Sequence, residues 1–206
     1  MKKIIICALI MAMSVAAPVV AMAESVTQIN MEVQPSEQNI EQIIDEITSE
    51  PHPINSDAIQ NVKEYIIRYF GNLGYDEIEC QKFEYNDENN ENAIRRSSQV
   101  DIFLSPTAEN AAIDGTGENI IVTKKSSTDT TENLIISAHY DSAEDSVGAN
   151  DNGSGMAAVL ELARILKDTE IPYNIKFILF SGEEKYMLGS RWYVGKLTED
   201  ERKQII

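Results

Sequence analysis

Three consecutive stretches decide the fold. They are Leu134-Ile135-Ile136-Ser137-Ala138-His139-Tyr140-Asp141, then Gly148-Ala149-Asn150-Asp151-Asn152-Gly153-Ser154-Gly155, then Ile175-Lys176-Phe177-Ile178-Leu179-Phe180-Ser181-Gly182-Glu183-Glu184. Two apolar runs of strand length each stop at residues that ligate metals. Between them Asp151 stands where a glycine-rich loop turns into an apolar helix. In open α/β sheets ligands collect beyond the carboxyl ends of the strands. His139, Asp141, Asp151, Glu183 and Glu184 are therefore expected in one cleft.

These residue types suit a hydrolytic metal site. Zinc takes imidazole nitrogen and carboxylate oxygen, and catalytic sites keep one position for water. Paired metals need a carboxylate between them. His139 is a natural ligand, and Asp141, two residues on, is placed to orient its ring or a nearby group. Asp151 is the candidate bridge, because Gly153-Ser154-Gly155 lets backbone and ion approach closely. Glu183 and Glu184 on a regular strand would face opposite ways. Gly182 allows a bend that brings both to one cleft, one to bind metal and its neighbour to take a proton from water.

Working outward, apolar spacing at Ile40, Ile43, Ile44 and Ile47 predicts a helix from Asn39 to before Pro51. Ser56-Asp57 caps a second helix, Ala58 to Leu73, which Gly74 stops. Glu77 to Tyr85 reads as a strand, Asn86 to Ser98 as a charged loop, and Val100 to Leu104 as a short strand. Asn119 to Lys124 and Asn133 to Ala138 are apolar runs whose connection, Lys125 to Glu132, is short enough for a hairpin. Gly155 to Lys167 is a helix apolar nearly all round, expected to lie buried on a sheet. Ile175 to Phe180 reads as a central strand covered on both faces. Leu188 to Lys196 begins another helix. The fold class is α/β, a mixed central sheet flanked by helices.

Met1 to Ala23 has the physics of a secretory signal: Lys2 and Lys3, an apolar run from Ile4 to Val20, and Ala21-Met22-Ala23 as a small-residue cleavage site. Residues 24–38 read as a mobile acidic lead-in, and residues 39–206 as the domain. The chain carries a net charge of −17. Without Lys2 and Lys3 the remaining 15 basic and 34 acidic residues give −19. Such a chain repels nucleic acid and anionic membrane. Cys80 is the one cysteine left after cleavage, so no intrachain disulfide is expected. The expected location is secreted or extracytoplasmic, without stable membrane association. His52, between two prolines, reads as a loop residue; Tyr140 and Trp192 read as packing residues.

Taken together, His139-Tyr140-Asp141, Asn150 to Gly155, Ser181-Gly182-Glu183-Glu184 and Leu188-Gly189-Ser190 resemble the co-catalytic di-zinc aminopeptidases of metallopeptidase family 28. The resemblance runs from about residue 40 onward. It implies two zinc ions and a peptide substrate, with His139 on the first zinc, Asp151 bridging, Glu184 on the second, Glu183 as general base and Asp141 supporting His139. It also implies a cis peptide at Asp151-Asn152. The family completes its site with a further acidic residue and a further histidine beyond the Glu-Glu pair. Here only Glu199, Asp200 and Glu201 follow, at what reads as a solvated helix start, and His52 is the only other histidine. The chain therefore looks like the front two-thirds of a peptidase domain, its carboxyl-terminal part missing. Two alternatives stay open. One is a non-catalytic remnant or fragment. The other is a glutaminyl-cyclase-like transferase sharing His-Tyr-Asp-Ser at His139 to Ser142, although Asp151 to Gly155 resembles the peptidases more closely.

Overall fold

The computed structural model describes residues 33–86 and 114–206. The signal read at 1–23, most of the lead-in, almost all of the loop at 86–98 and the strand at 100–104 lie outside the described residues. Helices α1 (Glu37–Ile47) and α2 (Asp57–Leu73) precede strands β1 (Ile78–Tyr85), β2 (Gly115–Lys124) and β3 (Asn133–His139). Then follow α3 (Ser154–Leu166), β4 (Asn174–Phe180), α4 (Leu188–Lys196) and α5 (Glu199–Lys203).

The strands form one mixed sheet in the order β1-β2-β4-β3. β2 runs antiparallel to both β1 and β4, and β4 runs parallel to β3. This overturns the hairpin expected of β2 and β3, because β4 lies between them. The reason is burial. β4 is buried at Ile175, Phe177, Ile178 and Leu179 and so takes the position with neighbours on both edges. β3 exposes Leu134 and Ser137 and suits an edge. The connection 125–132 must then step over one strand, roughly 10 Å, a distance eight residues cover with ease. Ser126, Ser127 and Thr128 tie it down through the carbonyls of Ile171 and Pro172.

Strand periodicity splits the core into two faces. Ile120, Val122, Phe177 and Leu179 pack with α1, α2 and α3, including Ile43, Ile66, Phe70, Met156 and Leu160. Ile121 and Ile178 point the other way, with Tyr193 of α4. Burying each large apolar side chain contributes about 1.5–3 kcal/mol, so α3 fixes the sheet's helix-covered face. Trp192 packs with Ile54, Phe83, Tyr85 and Leu188, as a packing residue should.

Helix ends follow the predicted chemistry. Ser56 Oγ accepts the Ile59 N–H, and Gly74 closes α2 in the left-handed region at φ 83°. α1 starts earlier than its apolar spacing suggests. Ser36 Oγ accepts the Asn39 N–H and puts Glu37 and Gln38 in the helix rather than the lead-in. Thr198 and Glu201 form a capping box on α5, the exposed helix start expected at Glu199 to Glu201. α3 departs from its apolar reading at Glu161, which is buried and held by Arg164, the Ser36 N–H and Asn39.

Candidate metal centre at the carboxyl ends of β3 and β4

Parallel pairing of β3 and β4 sets His139 level with Phe180, so both strands release their chains at the same height. The segment after β3 supplies Asp141 and, past a turn at Ala149–Gly153, Asp151. The segment after β4 supplies Glu183 and Glu184. The sheet thereby collects five residues from 46 positions of sequence at one end.

His139 is the hub. Its Nδ1 lies 3.1 Å from the Asp141 main-chain carbonyl, and its Nε2 lies 3.1 Å from Asp151 Oδ1 and 3.8 Å from Glu183 Oε2. A carbonyl only accepts, so Nδ1 carries the proton and Nε2 is the atom turned to the carboxylates. Burial alone would lower the imidazole pKa. The Asp141 carboxylate and carbonyl, with Glu183, outweigh it and push it up to about 9.

Of the two tasks open to the Asp141 side chain, the ring or a nearby group, its hydrogen bonds serve the second. Its carboxylate stands 3.7 Å from His139 Nδ1, and its own hydrogen bonds go elsewhere. Oδ1 accepts the Glu183 N–H at 3.0 Å and Oδ2 accepts the Glu184 N–H at 3.1 Å. Its main-chain carbonyl is what orients the imidazole, while its buried side chain holds the Glu-Glu segment. Nothing in the sequence signals a grip across 42 and 43 positions. Gly182, at φ 74°, makes the bend expected of it; a Cβ there would press Ile54 and Leu188.

Asp151 leaves helical conformation at φ −115°, ψ 92°, and its peptide bond to Asn152 is cis, as the resemblance implies. Asn152 Oδ1 accepts the Gly155 N–H, and a Cβ at Gly155 would collide with that amide. The glycine is there for close approach. The Asp151 side chain is 76% exposed and Glu183 42%, so both face solvent, whereas His139 and Asp141 are buried. Burial raises the Glu184 carboxyl above its ordinary range, with the charges of Asp151 and Glu183 adding and His139 opposing. His52 is buried. Its ring meets the Glu50 carbonyl and its N–H donates to Ser142 Oγ, so it braces the segment after β3. Tyr140 is buried and donates to the Glu118 carbonyl at 2.7 Å.

The donors suit zinc in kind: one imidazole nitrogen and carboxylates that repel one another, a surplus a cation would relieve. In arrangement they go less far. Among the described residues no three His, Cys, Asp or Glu side chains are set to enclose an ion.

Residues 119–206, which include all five of these side chains, match peptidase family M28. The chain is 46% identical over 90 residues to aminopeptidase YwaD of Bacillus subtilis; that match covers 43% of this chain and 20% of the relative. The chain thus spans about a fifth of that curated relative. A zinc aminopeptidase of Bacillus subtilis has a similar solved structure, TM-score 0.67 at 19% identity, over 84% of this chain and 68% of that one. A glutaminyl cyclase of Porphyromonas gingivalis is similar too, TM-score 0.53 at 17% identity, over 71% and 45%. Both likenesses concern the fold, a mixed sheet flanked by helices. Among the described residues no helix is long and apolar enough to cross a membrane.

Proposed function

We propose that this chain is an exported, zinc-dependent metallopeptidase of the M28 kind and of aminopeptidase type, which hydrolyses the peptide bond after an amino-terminal residue. One observation carries the reading: His139 Nε2 meets Asp151 and Glu183 where the two parallel strands end. In this reading His139, Asp151 and Glu184 are the residues that would hold zinc. Bound zinc supplies Lewis-acid polarisation and a water of lowered pKa.

The chain's own residues do the rest. Glu183 is the proton acceptor at its carboxylate and then the donor to the leaving amine, a role suited to a half-exposed group beside the imidazole. Asp141 fixes the backbone of Glu183 and Glu184, and its carbonyl fixes the His139 ring so that Nε2 faces the site. The acidic surface keeps the exported chain in solution. The identity to an aminopeptidase supports peptidase over cyclase chemistry.

The test is release of the chromophore from aminoacyl anilides in added zinc. Release abolished by chelator is expected; no chelator-sensitive release overturns the reading. Cyclisation of a peptide with amino-terminal glutamine would select the cyclase instead. A non-catalytic reading is favoured by the lack of a three-donor enclosure among the described residues, and zinc titration separates it, since an incomplete set of ligands should bind zinc weakly.

A further inference from the structure

The Glu183-Glu184 segment is gripped at a second point that plays no part in the chemistry above. Asn119, in the middle of β2, is fully buried. Its Oδ1 accepts the Ser181 N–H at 3.2 Å, and its Nδ2 donates to the Gly189 carbonyl at 2.9 Å and to Gln81 Oε1 at 3.0 Å. Ser181 and Gly189 are the two feet of one loop. Its rungs run inward from the Gly189 N–H on the Ser181 carbonyl, to Leu188 on Gly182, to Met187 on Glu183. One side-chain amide thus closes the base of the loop whose tip presents both glutamates.

That loop has reason to open. Gly182, Tyr186 and Met187 all lie in the left-handed region, at φ 74°, 67° and 58°. Two of these are side-chain-bearing residues, for which that conformation is unfavourable and persists only where the surroundings impose it. A carboxamide is the side chain that meets the need, because it accepts from Ser181 and donates to Gly189 at once. A Cβ at Gly189 would run into Asn119 Oδ1 and the Ser181 backbone, so the glycine is what lets the amide reach both feet.

We propose that Asn119 is a positioning residue, pinning the Ser181–Gly189 loop so that Glu183 and Glu184 are held at the site. The role at the site rests on the peptidase reading; the pin itself does not. Three variants test it on the full chain by amide hydrogen exchange. Asn119→Ala is expected to speed exchange at Glu183, Glu184 and Met187 by tenfold or more, with Ile120 to Val122 unchanged. It should weaken zinc binding about tenfold and lower kcat with KM kept. Gly189→Ala should loosen the same amides while leaving Asn119 in place. Gln81→Ala removes an Asn119 partner outside the loop and should leave the loop amides as they were. Unchanged exchange in Asn119→Ala, or equal loosening in Gln81→Ala, overturns the proposal. Should the first two variants fail to fold, the wild type decides: its Asn119 side-chain amide protons must be protected, and free exchange refutes the pin. Loss of the peptidase reading would appear instead as no chelator-sensitive activity in the wild type, with the exchange pattern intact.

Discussion

Asp141 and Glu161 are both buried acids, and each ties together segments far apart in sequence, yet they are satisfied in opposite ways. Asp141 spends its two oxygens on the backbone N–H groups of Glu183 and Glu184. Glu161 takes a two-pronged guanidinium from Arg164, at 2.9 and 2.8 Å, with the Ser36 N–H and the Asn39 amide at 2.6 Å each. The first acid has no cation fully its own, and its charge is felt by His139 and Glu184. The second is matched on the spot by Arg164 and serves the packing of α1 and α2 on α3, where Asn39 links it to the Tyr69 hydroxyl. Burial of a carboxylate therefore says nothing about function until its partners are known; backbone amides leave the charge at work, while an arginine fork cancels it.

The contrast can be broken at several points. Glu183→Gln should cost 10²- to 10⁴-fold in kcat, the size of a general-base contribution, with melting temperature and zinc affinity near wild type. Hydrolysis assays beside calorimetry would show it, and an unaffected kcat would remove Glu183 from the chemistry. At the other acid, Glu161→Ala removes the ion pair from Arg164, which is part-exposed and keeps the Gln34 carbonyl, and strands the Ser36 and Asn39 donors, a cost of about 1–3 kcal/mol. Thermal melts should register that loss while any activity at the permissive temperature is kept.

Asp141→Asn keeps the shape but offers one oxygen where two N–H groups ask. A drop of about 10–100-fold in zinc affinity is expected, as for residues that orient ligands, read by titration. No drop would mean that the grip on Glu183 and Glu184 is packing alone.

Acid sharpens the difference further. Burial pushes the Glu161 carboxyl up, but Arg164, Ser36 and Asn39 more than offset this and hold it below its ordinary 4.5. A depressed folded pKa means stability fully present above that ordinary value and lost as pH falls through the lower one. The melting temperature should decline below about pH 4.5, with a shallower slope in Glu161→Gln than in wild type. The smallest effect is expected at Ser36→Ala, which deletes the cap on α1 for about 1 kcal/mol, measurable by denaturant titration.

Much of the frame was legible because it depends on local periodicity. The strands at 78–85, 133–139 and 174–180 and the helices at 57–73 and 154–166 sit within a residue or so of their sequence readings. The strand order was not legible. Lys125 to Glu132 has the length of a hairpin loop, and no property of those eight residues reveals that β4 will enter between its neighbours. At the site, residue types and order pointed to His139, Asp151, Glu183 and Glu184, and the structure brings His139 to Asp151 and Glu183; the bend at Gly182 was legible as well. The sequence was silent on Asn119 as a grip and on which backbone groups Asp141 would hold, because an acid and an amide look alike whether solvated or bonded across the fold. Glu161 was likewise hidden in an apolar helix.

What the amino-acid order by itself determined is which short segments become strands and helices and which ligand-type side chains end them. These follow from alternation of apolar residues, caps and glycines within a few positions of one another. Only the tertiary structure decided which strands are neighbours and which buried polar groups hold the glutamate loop. Those outcomes turn on competition for burial and on hydrogen bonds spanning 42 to 70 residues, and no local pattern encodes a partner that distant.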